Sequence, residues 1–274
     1  MALGNTAVRV LVSVVAIPVL VLISYFGGAY FLSFVLIIAG ISFYEFSIMA
    51  KAKGANVNVN LGLIALIFLI LNQYKFFFSQ YHFLIVFFIV LLLFELFRNN
   101  GSAIQNIGTT LLGVFYTGIF GSTLMGIREY YPNIDGLYYQ GGYLIISIFA
   151  TIWICDSAAF FGGTALGKHK LFPRISPKKS WEGAIFGFVF AILAMILAKN
   201  IVLDFLSLKD AVVIGLIIGT FGQLGDLAES LLKRDAGVKD SSSFIPGHGG
   251  IFDRFDSLLF SSPIIYLYLT YLAG

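Results

Sequence analysis

Nine runs of predominantly apolar residues, each roughly 17 to 26 residues long and so able to cross a bilayer as a helix, follow one another along the 274-residue chain. They lie near 8–25, 29–50, 59–77, 81–97, 103–126, 142–166, 181–199, 207–232 and 251–272, the third being the weakest. Backbone amides and carbonyls left unpaired in hydrocarbon are costly, so each run must satisfy its own, as a helix does. Segments of alternating polarity, the mark of an outer-membrane barrel, are missing. With 59% of residues hydrophobic and 11% charged, nothing remains from which to build a separate water-soluble core. The expected fold is therefore all-α, a polytopic integral membrane protein with about nine transmembrane helices. It forms one domain over 1–274, with N-terminal helices in 1–140 and the chemistry-bearing helices and loops in 141–274. The first run follows Arg9 in the manner of a signal peptide, but further spans follow at once. Cys155 is the sole cysteine, which excludes an intramolecular disulfide and a cysteine-rich metal site.

Charge distribution orients the spans. With the N-terminus inside, thirteen of the 17 lysines and arginines fall on the inner side, and only Lys75, Arg128, Lys199 and Lys209 fall outside. This is the asymmetry of the positive-inside rule. The inner side then carries two long polar loops, 167–180 and 233–250, facing the compartment that holds nucleotides.

Acids in so apolar a chain are candidate functional residues, because a carboxylate at membrane depth is expensive unless paired or metal-bound. The segment GDLAESLLKR sets Asp226, Glu229, Ser230 and Lys233 at helical offsets of three, four and seven, on one face of the eighth run near its inner end. Asp253 and Asp256, three apart, open the ninth. Four acids at two neighbouring helix ends suit a hard cation such as Mg2+, held by carboxylates together with substrate phosphates. The structural alternative is that Asp253 and Asp256 favour a helix N-terminus, or pair with Arg254 and Lys233. Asp156 lies inside the sixth run, where its depth calls for a partner, either a cation or a metal-bound water. Gly162, Gly163 and Gly167 allow close packing around it. Glu45 and Glu95 lie near Lys51 and Arg98, where interfacial ion pairs explain them without a site.

Between the acids, PGHGG supplies glycines whose bare backbone can aim successive amides at an anion, and the helix start at Ile251 adds its own donors. A phosphate would fit there. His248 is either a phosphate donor, a proton-transfer group or a loop residue bonded to backbone. In the other loop, Arg174, Ser176, Lys178, Lys179 and Ser180 form a cationic, hydroxyl-bearing strip suited to a triphosphate or an anionic headgroup. Such loops also serve simply as topology determinants. Glu182 beside Trp181 is an acid that topology does not need.

The run SLLKRDAGVKDSSSFIPGHGGIFDRFD, residues 230–256, resembles the signature of the phosphatidate cytidylyltransferase (CDP-diacylglycerol synthase) family through Ser230, Lys233, Arg234, Lys239, Asp240, His248, Gly249, Gly250, Asp253, Arg254 and Asp256. CDSAAFFGGTALGKHKLFPRISPKKSWEG, residues 155–183, is similar to a second family stretch, with Phe160 where a tyrosine is expected and Ser180 where threonine is frequent. These departures touch fine positioning rather than reaction type.

The resemblance implies a Mg2+-dependent nucleotidyltransferase, with a second cation conceivable, that joins CTP to phosphatidic acid to give CDP-diacylglycerol and pyrophosphate. It implies membrane lipid as surroundings, no nucleic acid, a homodimer, and a bacterial inner membrane with the active site toward the cytoplasm. In that reading Asp226 and Asp253 ligate the metal, with Asp256, Glu229 and Asp156 as further ligands or supports. Lys233, Arg234, Lys239 and Arg254 offset phosphate charge, with His248 beside them. Ser176, Lys178, Lys179, Ser180, Glu182, Ser230, Asp240, Gly249 and Gly250 contact substrate. Two rivals are an ion-coupled transporter, which would place its acids nearer the bilayer midplane, and a CTP-dependent transferase acting on another lipid phosphate.

Overall fold

The computed structural model describes residues 5–134, 136–242, 244 and 249–273, with side chains from Ser13 onward. Among the described residues the chain forms nine helical rods, one for each apolar run. They are α1 (Asn5–Phe26), α2 (Gly28–Ala52), α3 (Val59–Tyr74), α4 (Gln80–Phe97), α5 (Ala103–Arg128), α6 (Tyr138–Leu166), α7 (Trp181–Ile201), α8 (Leu208–Asp235) and α9 (Phe252–Tyr271). Six of them, α2, α4, α5, α6, α7 and α8, are long and apolar enough to cross a membrane. The chain is an integral membrane protein of all-α class. One addition breaks the helical pattern: in the loop after α6, β1 (Lys170–Phe172) and β2 (Ser176–Ser180) pair antiparallel as a hairpin.

Helix ends follow local chemistry. Asn58 caps α3 by accepting from the Leu61 amide, and Ser180 caps α7 by accepting from Gly183. Ser207 and Asp210 form a capping box at α8, and Asp210 also accepts the Tyr268 hydroxyl from α9. Two rods depart from α-geometry: α5 is π-helical over Val114–Ile119 and α8 over Ile218–Gly222, widenings that recur at functional sites. Pro263 within α9 leaves the Leu259 carbonyl without its usual amide donor, and the Ser262 hydroxyl lies 3.0 Å from that oxygen instead.

The core is a continuous cluster of buried aliphatic and aromatic side chains from α2, α3, α5, α6, α8 and α9, with Phe31, Val35, Leu66, Leu124 and Leu259 fully enclosed. Small residues set the closest approaches. A Cβ on Gly225 of α8 would lie 2.6 Å from Phe260 Cβ and 2.9 Å from the Asp256 carbonyl of α9. That approach brings the acidic parts of α8 and α9 together. Gly183 at the start of α7 likewise faces Gly163 of α6, whose Cα a Cβ there would meet at 3.0 Å, so glycines set the close approach of α6 to α7 about two turns along from Asp156.

Candidate active site

At the basic end of the bundle, α6, the hairpin, α7, α8 and the tip of α9 enclose a cavity of about 850 Å³, closed on another side by α1. Its polar wall carries Asp156, Lys178, Lys179, Ser180, Asp226, Lys233, Asp240, Asp253, Arg254 and Asp256. Its apolar wall carries Ile17, Leu20, Phe149, Trp153, Phe160 and Phe255. Ten residues expected at the site from sequence therefore line one chamber that is ionic at one side and greasy at the other.

Within that wall the charges separate into two groups. Lys179 Nζ, delivered by β2, lies 2.7 Å from Asp226 Oδ2, and Ser230 Oγ donates to Asp226 Oδ1 at 3.3 Å. Asp156, Asp226 and Asp256 lie within electrostatic reach of one another, with Lys179 their shared cation. In the second group, Lys233 Nζ lies 2.6 Å from Glu229 Oε2 and 2.6 Å from Asp253 Oδ1, linking α8 to α9. Asp253 Oδ2 accepts from the Ser241 amide and hydroxyl, both at 2.9 Å, and from the Gly250 amide at 2.8 Å. One face of the α8 helix thus serves both groups, and the three-residue spacing of Asp253 and Asp256 sends them to different ones.

A hard cation suits this donor set. The donors are carboxylate oxygens, and an ammonium already stands among three of them. Among the described residues no three acidic, histidine or cysteine side chains converge on a single metal point. Such a set could take Mg2+ only through one or two carboxylates plus ligand phosphates, not as an all-protein cage.

Several expected residues stand elsewhere. Glu182 accepts from the Lys168 amide at 3.1 Å and lies 2.6 Å from His169 Nδ1, so it fastens the hairpin to α7 rather than facing the cavity. Arg234 donates to the carbonyls of Ile175 and Val238, bracing the end of α8 against the loops. Glu229 is fully buried behind Lys233. Ser176, Ser230, Lys239, Gly249 and Gly250 are not among the cavity-lining residues, although Gly249 adopts φ 81°, the left-handed conformation glycine permits. His248 lies outside the described residues.

Sequence reasoning missed two residues. Gln223 lines the cavity and donates to the Ala184 and Gly219 carbonyls, the latter within the π-helical turn, so it ties α8 to α7. Glu45 is not paired with Lys51. It reaches across to the tip of α9. Glu95 keeps its expected partner, with Arg98 Nη1 3.6 Å away.

Residues 7–272 match the cytidylyltransferase family. The chain is 36% identical over 269 residues to the phosphatidate cytidylyltransferase of Bacillus subtilis (strain 168), covering 95% of this chain and 96% of that protein. It is 34% identical over 266 residues to the phosphatidate cytidylyltransferase of Staphylococcus haemolyticus (strain JCSC1435), covering 96% and 98%. The protein of that name from Staphylococcus aureus (strain COL) is 35% identical over 268 residues, with 96% and 98% covered.

Proposed function

The chain belongs to the cytidylyltransferase family, and from that premise we propose that it transfers the cytidylyl group of CTP to phosphatidic acid, giving CDP-diacylglycerol and pyrophosphate in phospholipid biosynthesis. The observation that carries the reading is the two-sided chamber: a lipid phosphate needs an ionic wall for its head and an apolar wall for its tails, and both belong to one 850 Å³ cavity.

In this reaction a phosphate oxygen of the lipid attacks the α-phosphorus of CTP. The bond from that phosphorus to the α–β bridging oxygen breaks, and the electron pair leaves with pyrophosphate. Such chemistry calls for positioning and charge neutralisation rather than a protein nucleophile. Lys178, Lys179, Lys233 and Arg254 share the cavity wall and would balance the triphosphate and the departing pyrophosphate. Arg234 and Lys239 would act from the rim. Ser180 would donate to a phosphate and Asp240 would face the polar groups of the nucleotide from the same wall, and the fully apolar Ile17, Leu20 and Phe255 would receive acyl chains.

Mg2+ would be held by Asp226 with Asp156 or Asp256, and by Asp253 once Lys233 turns toward phosphate; when bound it supplies charge neutralisation at the phosphate oxygens. Lys179 would leave Asp226 in the same exchange, which its flexible stem permits. The reading sets the N-terminus and the basic end in the cytoplasm, beside CTP, in a bacterial inner membrane, with residues 141–274 carrying the chemistry. It also takes the enzyme to be a homodimer, from the resemblance.

Purified protein in detergent, given labelled CTP, phosphatidic acid and Mg2+, should form a labelled lipid and release pyrophosphate, and a chelator should stop this reversibly. Turnover on a polyprenyl phosphate but none on phosphatidic acid would replace the lipid substrate. Turnover unaffected by chelator would remove the metal.

A further inference from the structure

Glu45 sits near the basic end of α2, some 200 residues from the signature loop in sequence, and is only 2% exposed. Both of its oxygens are fully engaged. Oε1 accepts from the Ser242 hydroxyl at 2.5 Å and the Ile251 amide at 3.1 Å, and Oε2 from the Ser241 hydroxyl at 3.0 Å and the Phe252 amide at 2.8 Å. Each oxygen therefore takes one backbone amide from the start of α9 and one hydroxyl from the loop before it. The amides are those a helix N-terminus leaves unpaired, and a carboxylate also complements the dipole there.

The single proton of the Ser241 hydroxyl is shared between Glu45 Oε2 and Asp253 Oδ2, the latter 2.9 Å away, so one side chain joins Glu45 to the cavity acid. Gly250 passes between them: a Cβ there would run into the Ser241 hydroxyl and lie 2.7 Å from each Glu45 oxygen. The second glycine of the HGG stretch is thus demanded first by the Ser241 side chain and then by the close pass of a carboxylate from another helix. Glu45 does not line the cavity, so it can act only through what it holds.

We infer that Glu45 is a positioning residue, a clamp from the N-terminal helices that fixes loop 241–242 and the tip of α9 and thereby holds Asp253 in register with Lys233. The consequence for turnover rests on the cytidylyl-transfer reading above; the clamp itself does not. Glutamine is the informative replacement, because its amide nitrogen would face a backbone N–H and set donor against donor. Misplacing a reacting group by about 1 Å costs up to about a hundredfold in rate.

The test uses the full-length protein in detergent and reads two quantities, amide hydrogen exchange of the segment around 249–255 and the steady-state constants for CTP. Glu45→Gln should speed exchange at Ile251 and Phe252 at least tenfold while the membrane helices stay protected. Its kcat should fall about tenfold to a hundredfold with KM for CTP changed less than about threefold, and Glu45→Asp should recover part of the loss. Ser242→Ala, which leaves only the exposed Phe244 amide to water, should lower kcat by a few-fold at unchanged melting temperature, and it decides the matter if Glu45→Gln fails to fold. The clamp is overturned if Glu45→Gln leaves exchange at Ile251 and Phe252 as in the wild type. It is overturned equally if kcat stays within twofold, or falls only in proportion to the folded fraction. A wild type inactive on phosphatidic acid would sink the functional reading instead, and the exchange result would still decide the clamp.

Discussion

Arg128 at one end of the bundle and Lys233 at the other are both cations withdrawn from the surface, but they keep different company. Arg128 is completely buried and donates to three carbonyls: Nε to Ser24 at 2.6 Å, Nη2 to Tyr25 at 2.8 Å and Nη1 to Tyr138 at 3.2 Å. Its guanidinium also lies 4.2 Å from the Tyr138 ring. The Ser24 and Tyr25 carbonyls are among those the last turn of α1 leaves unpaired, so the arginine serves as a cap, with three of its five N–H donors committed to backbone and Glu129 Oε1 3.9 Å from Nη1. Lys233 instead bridges two carboxylates and borders a cavity. Both partners are side chains, and the lysine's flexible stem lets it turn away from them. A buried charge tied to backbone holds a fold together; one held only by side chains beside a cavity is available to a ligand.

Three substitutions test that contrast. Asp253→Asn should have the largest effect, lowering turnover by about a thousandfold or more, far beyond any loss of folded protein, with unchanged membrane insertion, since Lys233 keeps Glu229 as a partner. Near-native turnover in this variant would remove Asp253 from the site. Lys179→Ala should come next, with turnover down by about a hundredfold to a thousandfold, the range expected when one charge-stabilising donor is lost. Its loss should be largest at low CTP if the lysine also draws the nucleotide in. Arg128→Met should have the least effect on turnover, within about twofold for the folded fraction, and yet cost about 3 kcal/mol of stability, as breaking a buried charge network does. A stable Arg128→Met protein with poor turnover would erase the distinction between the two ends.

The rods were legible because bilayer length imposes itself on sequence: the runs near 181–199 and 207–232 became Trp181–Ile201 and Leu208–Asp235. The third run, expected to reach 77, stops at Tyr74, where the Asn72 side chain accepts from the Phe77 and Phe78 amides and turns the chain. The cavity acids were legible for a related reason, since a carboxylate in apolar surroundings stands out. What could not be read was choice of partner. Glu45 and Glu95 look alike in sequence, each with a cation a few residues on. Only the fold shows that Glu95 takes Arg98 and also accepts from Asn106, whereas Glu45 takes the α9 tip. Glu182, expected to contact substrate, meets the Lys168 and His169 amides and the His169 ring in the fold, and backbone partners of that kind carry no residue signature. The hairpin and the two π-helical turns left no periodic signal either, being only a few residues long.

The two ammonium groups nested among carboxylates mean that the chamber is never a bare electrostatic trap. Lys179 and Lys233 are each already matched at 2.6 to 2.7 Å, so an arriving anion has to outcompete a resident carboxylate before it gains a lysine. A lone weak anion has little with which to do so, while a polyphosphate accompanied by its own cation can replace both members of a pair at once. Selection for a highly charged guest then arises from competition, with no dedicated gate.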